Sequence, residues 1–260
     1  MSEFDLFSEA VVNLALTLPR IAAAFLVLPL LTSEIVPALA RNIFLMSLAI
    51  AVFPFVAHDV QAVAASGVML GPVVIKELFI GVVIGYAFSI VFWALEGAGQ
   101  VIDTKVGTTM AQITDPLSGH QTSLIGALLS QLAGYLFVAF GGLLIFLDLL
   151  LTSYSVWPLA APLPDLAAAG QLFFIQRFDE LMRLILLLAA PALVVLTLID
   201  FGLGFVNRYA QQLNVFSLSL SIKAWLGVFI VLLMLTSIVE FMLGWLADQQ
   251  GLLEALRLVL

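Results

Sequence analysis

The side chains able to do chemistry in this chain are few, and most stand in apolar surroundings. Arg20, the adjacent pair Lys76-Glu77, Asp148, Asp200, Lys223 and Glu240 all fall within or at the edge of otherwise hydrophobic stretches. An ionisable group placed mid-membrane costs about 2.5–3.5 kcal/mol on insertion scales, so it marks a pathway, a protein partner or a side chain reaching for an interface. Arg20 and Glu240, near stretch ends, read as snorkelling groups; the mid-stretch pair Lys76-Glu77 does not. Successive helical positions point about 100° apart, so Lys76 and Glu77 are not expected simply to neutralise one another. Each needs a partner elsewhere, in this chain or in another.

No catalytic constellation accompanies these charges. There is no H-E-x-x-H, G-x-S-x-G or phosphate-binding glycine loop, and the two histidines, His58 and His120, stand alone in candidate loops. With no cysteine, a thiolate nucleophile, a thiolate metal site and a disulfide framework are all excluded. Neither an enzyme nor a cofactor is expected. The net charge of −8 argues against nucleic acid, whose binding depends on clustered lysine and arginine.

The longest polar break runs from Glu96 through Gly97, Gly99, Gln100, Asp103, Lys105 and Gly107 to Asp115, Pro116 and Thr122. Its charges are sparse and mixed in sign, and Val101, Ile102, Val106, Met110 and Ile113 interleave with them. Two readings fit: an ordinary loop between helices, or an ordered re-entrant segment at membrane depth, which protein or a water-filled cavity must cover.

The elements that position these residues are hydrophobic. Of 260 residues 63% are hydrophobic and 10% charged, with a mean hydropathy of +1.19, more apolar surface than a water-soluble core can hide. Six apolar stretches, at about 10–31, 43–57, 68–95, 124–151, 184–206 and 218–246, read as helices, most long enough to cross a ~30 Å hydrocarbon core. Prolines 19, 29, 54, 72 and 191 are expected to kink or break them. The N-terminus carries Glu3, Asp5 and Glu9 rather than a basic signal region, so the first stretch is read as retained. Loop lysines and arginines are too evenly divided to orient the chain, as expected where partners set its position.

Small residues recur at Gly81-x3-Gly85, at Gly126-x3-Ser130-x3-Gly134 and at Gly202 and Gly204, spacings that let helices approach closely. A connector with four aromatic or proline markers, Trp157-Pro158, Pro162 and Pro164, occupies 152–170 and leaves a two-helix remainder. The turn of that hairpin, from Asp200 through Arg208 and Asn214 to Lys223, is rich in hydrogen-bond donors suited to capping helix ends or bridging subunits.

Two motifs carry a resemblance. The run KELFIGVVIG at 76–85 followed by FWALEGAGQVID at 92–103, with Gly107 and Asp115-Pro116, is similar to the central signature of the type III secretion export-apparatus T component, whose flagellar homologue is the R component. The hairpin DFGLGFVNRYAQQLNVFSLSLSIK at 200–223 resembles the second signature of that family, and the similarity extends over nearly the whole chain. Asp103 and the Ser221-Ile222-Lys223 ending resemble the injectisome branch more than the flagellar one; Gln211 departs from the proline common at that place in the family.

The resemblance implies an all-α, membrane-associated chain of about six to eight kinked helices within a helical pseudo-hexameric export gate. It implies a division into an R-like part at 1–151 with a plug at 96–122, the connector at 152–170, and an S-like hairpin at 171–260. The implied partners are five R and four S components around one T, the nonameric export component, the needle base or inner rod, the lipid membrane, and unfolded secreted proteins in transit. The implied place is the bacterial inner membrane, partly raised to the periplasmic side. Gly97, Gly99, Gln100, Asp103, Lys105, Gly107, Met110, Asp115 and Pro116 would then line the pore or plug, and Lys76, Glu77, Asp200, Arg208, Asn214 and Lys223 would join subunits. A secondary transporter of a small solute is the alternative, although no internal repeat of the kind such folds carry is visible.

Overall fold

A computed structural model of the chain describes residues 3–31, 36–65, 70–107, 123–161, 168–210, 212 and 214–249. Among them the regular structure is helical throughout: α1 (Glu3–Val27), α2 (Ala38–Ala65), α3 (Leu70–Val106), α4 (Leu124–Ala139), α5 (Gly142–Val156), α6 (Ala168–Tyr209) and α7 (Val215–Asp248). Met110, Asp115, Pro116, His120, Gln211 and most of the expected plug lie outside the described residues.

The expected boundaries shift at the end of α3 and within the stretch at 124–151. Residues 96–106, read as a break, are helix: α3 continues for 37 residues, and its chain reversal starts only at Gly107. There the Gly107 N–H donates to Asp103 O at 3.0 Å and φ is +96°, the left-handed ending that a residue without Cβ adopts cheaply. The single stretch expected at 124–151 divides into α4 and α5 at Phe140-Gly141, with Gly141 at φ +79°. Prolines differ in their effect. Pro19, Pro54 and Pro191 lie inside α1, α2 and α6, whereas Pro72 sits in the first turn of α3, where its missing donor has no intrahelical partner to lose, and Pro29 lies just past the end of α1.

The chain forms two compact units that interleave in sequence: Met1–Ser89 with Gly141–Ile175 and Asp248–Leu260, and Ile90–Phe140 with Gln176–Ala247. In the first, α1 packs against α2 and α3, and Phe25, Phe44, Phe88 and Phe146 stack edge to face at 5.1–5.5 Å. Gly81 and Gly85 let α3 lie directly on the backbone of α1: a Cβ at Gly81 would strike Arg20 O, and one at Gly85 would strike Ala24 O. In the second, Phe92 meets Phe137, Gly99 of α3 lies on the backbone of Gly126 in α4, and Gly97 accommodates Ile185 of α6.

Among the described residues three helices, α3, α6 from Leu172 and α7, are long and apolar enough to cross a membrane, or four if α4 and α5 count as one broken span. They differ in what covers them. The most apolar window of α3 is 72% buried within the protein, against 22% for α6 and 28% for α7. Phe201, Phe205, Tyr209, Phe216 and Trp225 of α6 and α7 are all exposed, and a Cβ at Gly202 or Gly204 would meet no atom of the described residues within 4 Å.

Candidate functional site

The first cluster of polar groups lies inside the first unit. Arg20 is held on the packed face of α1, fully buried among Leu16, Ile21 and Ala24. It cannot leave its charge unpartnered there. Its Nε donates to Glu77 Oε2 at 2.6 Å, Nη1 to Ser153 Oγ at 3.0 Å and Nη2 to Trp157 O at 2.8 Å, and the guanidinium lies 4.0 Å above the Tyr154 ring. Tyr154 in turn donates its hydroxyl to Thr17 O at 2.8 Å. The other Glu77 oxygen meets Lys76 Nζ at 3.1 Å, and that ammonium donates onward to Pro158 O, Leu159 O and Ala161 O at 2.9, 2.8 and 3.1 Å.

Two sequence expectations are thereby corrected. Arg20 does not snorkel; it is the hub of the network. Lys76 and Glu77 do pair with each other, because the four-carbon lysine stem bends across the 100° that separates their Cβ atoms. Their remaining partners, sought in another segment or another subunit, are in this chain: α1, α5 and the turn after it. Four carbonyls of the 157–161 turn are satisfied by two cations, and one carboxylate balances them, so the beginning of the connector is fixed from within.

The second cluster lies in the second unit. Asp200, in α6, is bracketed by Lys105 of α3, Nζ to Oδ2 at 2.8 Å, and Lys223 of α7, Nζ to Oδ1 at 3.0 Å. Unlike the first cluster it is half open, with side chains 33% (Lys105), 34% (Asp200) and 12% (Lys223) exposed. The last turn of α3 also carries Asp103, which is buried and whose Oδ2 accepts from Ser123 Oγ at 2.5 Å and from the Ile125 N–H at 2.9 Å. Ser123 is itself the N-cap of α4, accepting from the Gly126 N–H at 2.8 Å. Asp103 thus reads the positive end of α4 through two donors.

The predicted residues fall into groups. Gly97, Gln100 and Lys105 line one open groove of about 750 Å³ with Met182, Ile185 and Leu193 of α6. Gly99 is a packing position against α4. Asp200 and Asn214 share a smaller cavity of about 390 Å³ at the hairpin turn, where Asn214 caps α7 by accepting from the Ser217 N–H at 3.3 Å. Arg208 is exposed on the last turn of α6, and Asp148 and Glu240 are exposed on α5 and α7. Ser153, Tyr154 and the 157–161 carbonyls leave no local signal, because the Arg20, Lys76 and Thr17 groups they meet lie more than eighty residues away. Ser123, by contrast, was open to recognition as an N-cap before an apolar run. Among the described residues no group of three His, Asp or Glu side chains is placed to hold a metal. The clusters can bind, orient and release helices electrostatically.

The family described as bacterial export proteins, family 1, matches residues 11–248. The chain is 36% identical over 221 residues to Yop proteins translocation protein T of Yersinia pestis, covering 85% of this chain and 84% of that protein. It is 34% identical over 238 residues to the secretion system apparatus protein SsaT of Salmonella typhimurium, covering 90% and 88%. It is 26% identical over 229 residues to the flagellar biosynthetic protein FliR of Escherichia coli, covering 85% and 84%. A match that runs through both motifs and nearly end to end places this chain in bacterial export protein family 1, among the T and R components of type III export apparatuses.

Proposed function

We propose that the chain is the T-type subunit of a type III export gate, a non-enzymatic part through which unfolded proteins cross the bacterial inner membrane. The observation that carries this reading is the contrast in burial between α3 and the α6–α7 hairpin: the chain covers its own central helix but leaves most of two long apolar helices uncovered. Lipid covers part of such a surface. Exposed Gly202 and Gly204, beside the donors Asn207, Arg208 and Asn214, are instead suited to close approach by another helix. On this reading the hairpin meets the R and S components, expected as five and four copies around one T, and neighbouring contacts fall to the nonameric export component and the needle base. The division into 1–151 and 171–260 belongs to the same proposal.

The segment that follows Gly107 is assigned to the plug, with Met110, Asp115 and Pro116 at the constriction and Gly97, Gln100 and Lys105 along its approach. A channel that passes chains of any sequence must seal with small and apolar contacts rather than a selective site. Shortening 107–119 tests the plug: the complex should assemble in normal amounts and the inner membrane should leak ions. An assembled, ion-tight deletion would show that this stretch is only a loop. The relatives named above are secretion and flagellar components, and none is named for a small solute.

A further inference from the structure

The last turn of α3 is held on two sides by bonds of different kinds. Toward α4, Asp103 is buried and accepts from two donors, so parting them would strand a buried carboxylate and a helix end. Toward the hairpin, contact is made by Lys105 on Asp200, by Val106 against Gly227 and by Gly107 against Leu220. The last two are apolar contacts without directional bonds. The first is a half-exposed ion pair whose carboxylate has a second lysine on its other oxygen.

We propose that Asp200 is a shared acceptor for a releasable joint: Lys105 lets go when the gate opens, Lys223 keeps the carboxylate paired, and the end of α3 leaves the hairpin together with α4. The inference rests on the export-gate reading above. Its physical basis is that each lysine occupies its own oxygen, so departure of Lys105 leaves a complete Lys223–Asp200 pair rather than a bare charge. Lys105, at 33% exposure, is the more open of the two lysines, whereas Lys223, at 12%, is the more enclosed partner. Lys105 and Lys223 are then positioning residues with opposite duties.

A merely structural triad gives both lysine variants the same direction of effect; a releasable joint does not. In cells carrying the assembled complex, Lys105→Met should raise ion leak several-fold without lowering the amount of complex. Lys223→Met should leave the gate tight and slow secretion several-fold, because release of Lys105 now strands Asp200. Changes of the same sign in both variants would overturn the joint. The chain has no cysteine, so Val106→Cys with Gly227→Cys forms a single defined pair, and a Cβ at Gly227 lies 2.7 Å from Val106 Cγ2. Oxidised, this pair should block secretion, and reductant should restore it. A crosslinked complex that secretes at the parent rate removes the joint and leaves the gate reading standing; secretion that persists when the whole chain is deleted removes the gate reading itself. If the cysteine pair does not assemble, the two lysine variants still decide the matter.

Discussion

The two charge clusters of this protein use the same residue types to opposite ends. Around Glu77 every group is buried, the partners come from α1, α3, α5 and the following turn, and hardly any of them can be withdrawn without exposing a charge to apolar surroundings. Around Asp200 two of the three groups are about one-third exposed, three helices meet on one carboxylate, and one cation is in surplus. Burial rather than charge count separates a fixed joint from an exchangeable one. The first cluster builds a subunit; the second is placed where a subunit can change.

Removing the carboxylate from the closed cluster should have the largest effect. Glu77→Ala leaves Arg20 and Lys76 facing each other in the interior, a loss of about 3–5 kcal/mol by analogy with other broken buried pairs. The complex should fall to undetectable amounts on a native gel. Normal amounts would mean that the 157–161 carbonyls suffice to hold both cations, and that the Glu77 cluster is no more fixed than the Asp200 cluster.

Next in size is the junction of α3 with α4. Asp103→Ala abandons the Ser123 hydroxyl and the Ile125 N–H, and an unsatisfied buried donor costs about 1–3 kcal/mol. The complex should still form, melt at a lower temperature, and lose hydrogen-exchange protection first at the start of α4. Protection lost uniformly would show that Asp103 is not a local clasp.

A pair of glycine substitutions sharpens the difference between covered and uncovered helices. Gly99→Ala drives a Cβ into the backbone of Gly126, an overpacking worth about 1–3 kcal/mol, and should reduce the stability of the chain itself. Gly202→Ala meets nothing within 4 Å among the described residues and, by helix propensity, should stabilise the chain by up to about 1 kcal/mol. If Gly202→Ala nevertheless lowers the yield of complex, another subunit lies against it; equal yields would leave that face to lipid.

The smallest effect on stability belongs to the open cluster. Lys223→Ala removes one partly exposed ion pair, with Lys223 at 12% and Asp200 at 34%, while Lys105 still serves Asp200, so the change should lie within about 1 kcal/mol and the amount of complex should hold.

Much of this was legible in the residues. Hydropathy alone marks six of the helical regions, and the motifs at 76–103 and 200–223 mark the family. The break at Phe140-Gly141 was signalled by two adjacent glycines within an apolar run, but such a run is equally compatible with one unbroken helix. Gly97 and Gly99 misled in the other direction: they look like breakers and are instead points of close approach in α3, to Ile185 and Gly126, which no local pattern discloses. Arg20 was placed at an interface by its position near a stretch end because its partners Glu77, Ser153 and Trp157 lie 57, 133 and 137 residues along the chain. Pairings at such separations leave no periodicity to read.

The export-gate proposal is tested most directly by co-expressing this chain with the R and S components proposed as its partners, followed by subunit-resolved mass measurement of the purified complex. The expected result is a stable assembly holding one copy of the chain, together with poor behaviour in detergent when the chain is made alone. A stable solitary monomer, or a complex that forms in equal yield without this chain, would contradict it.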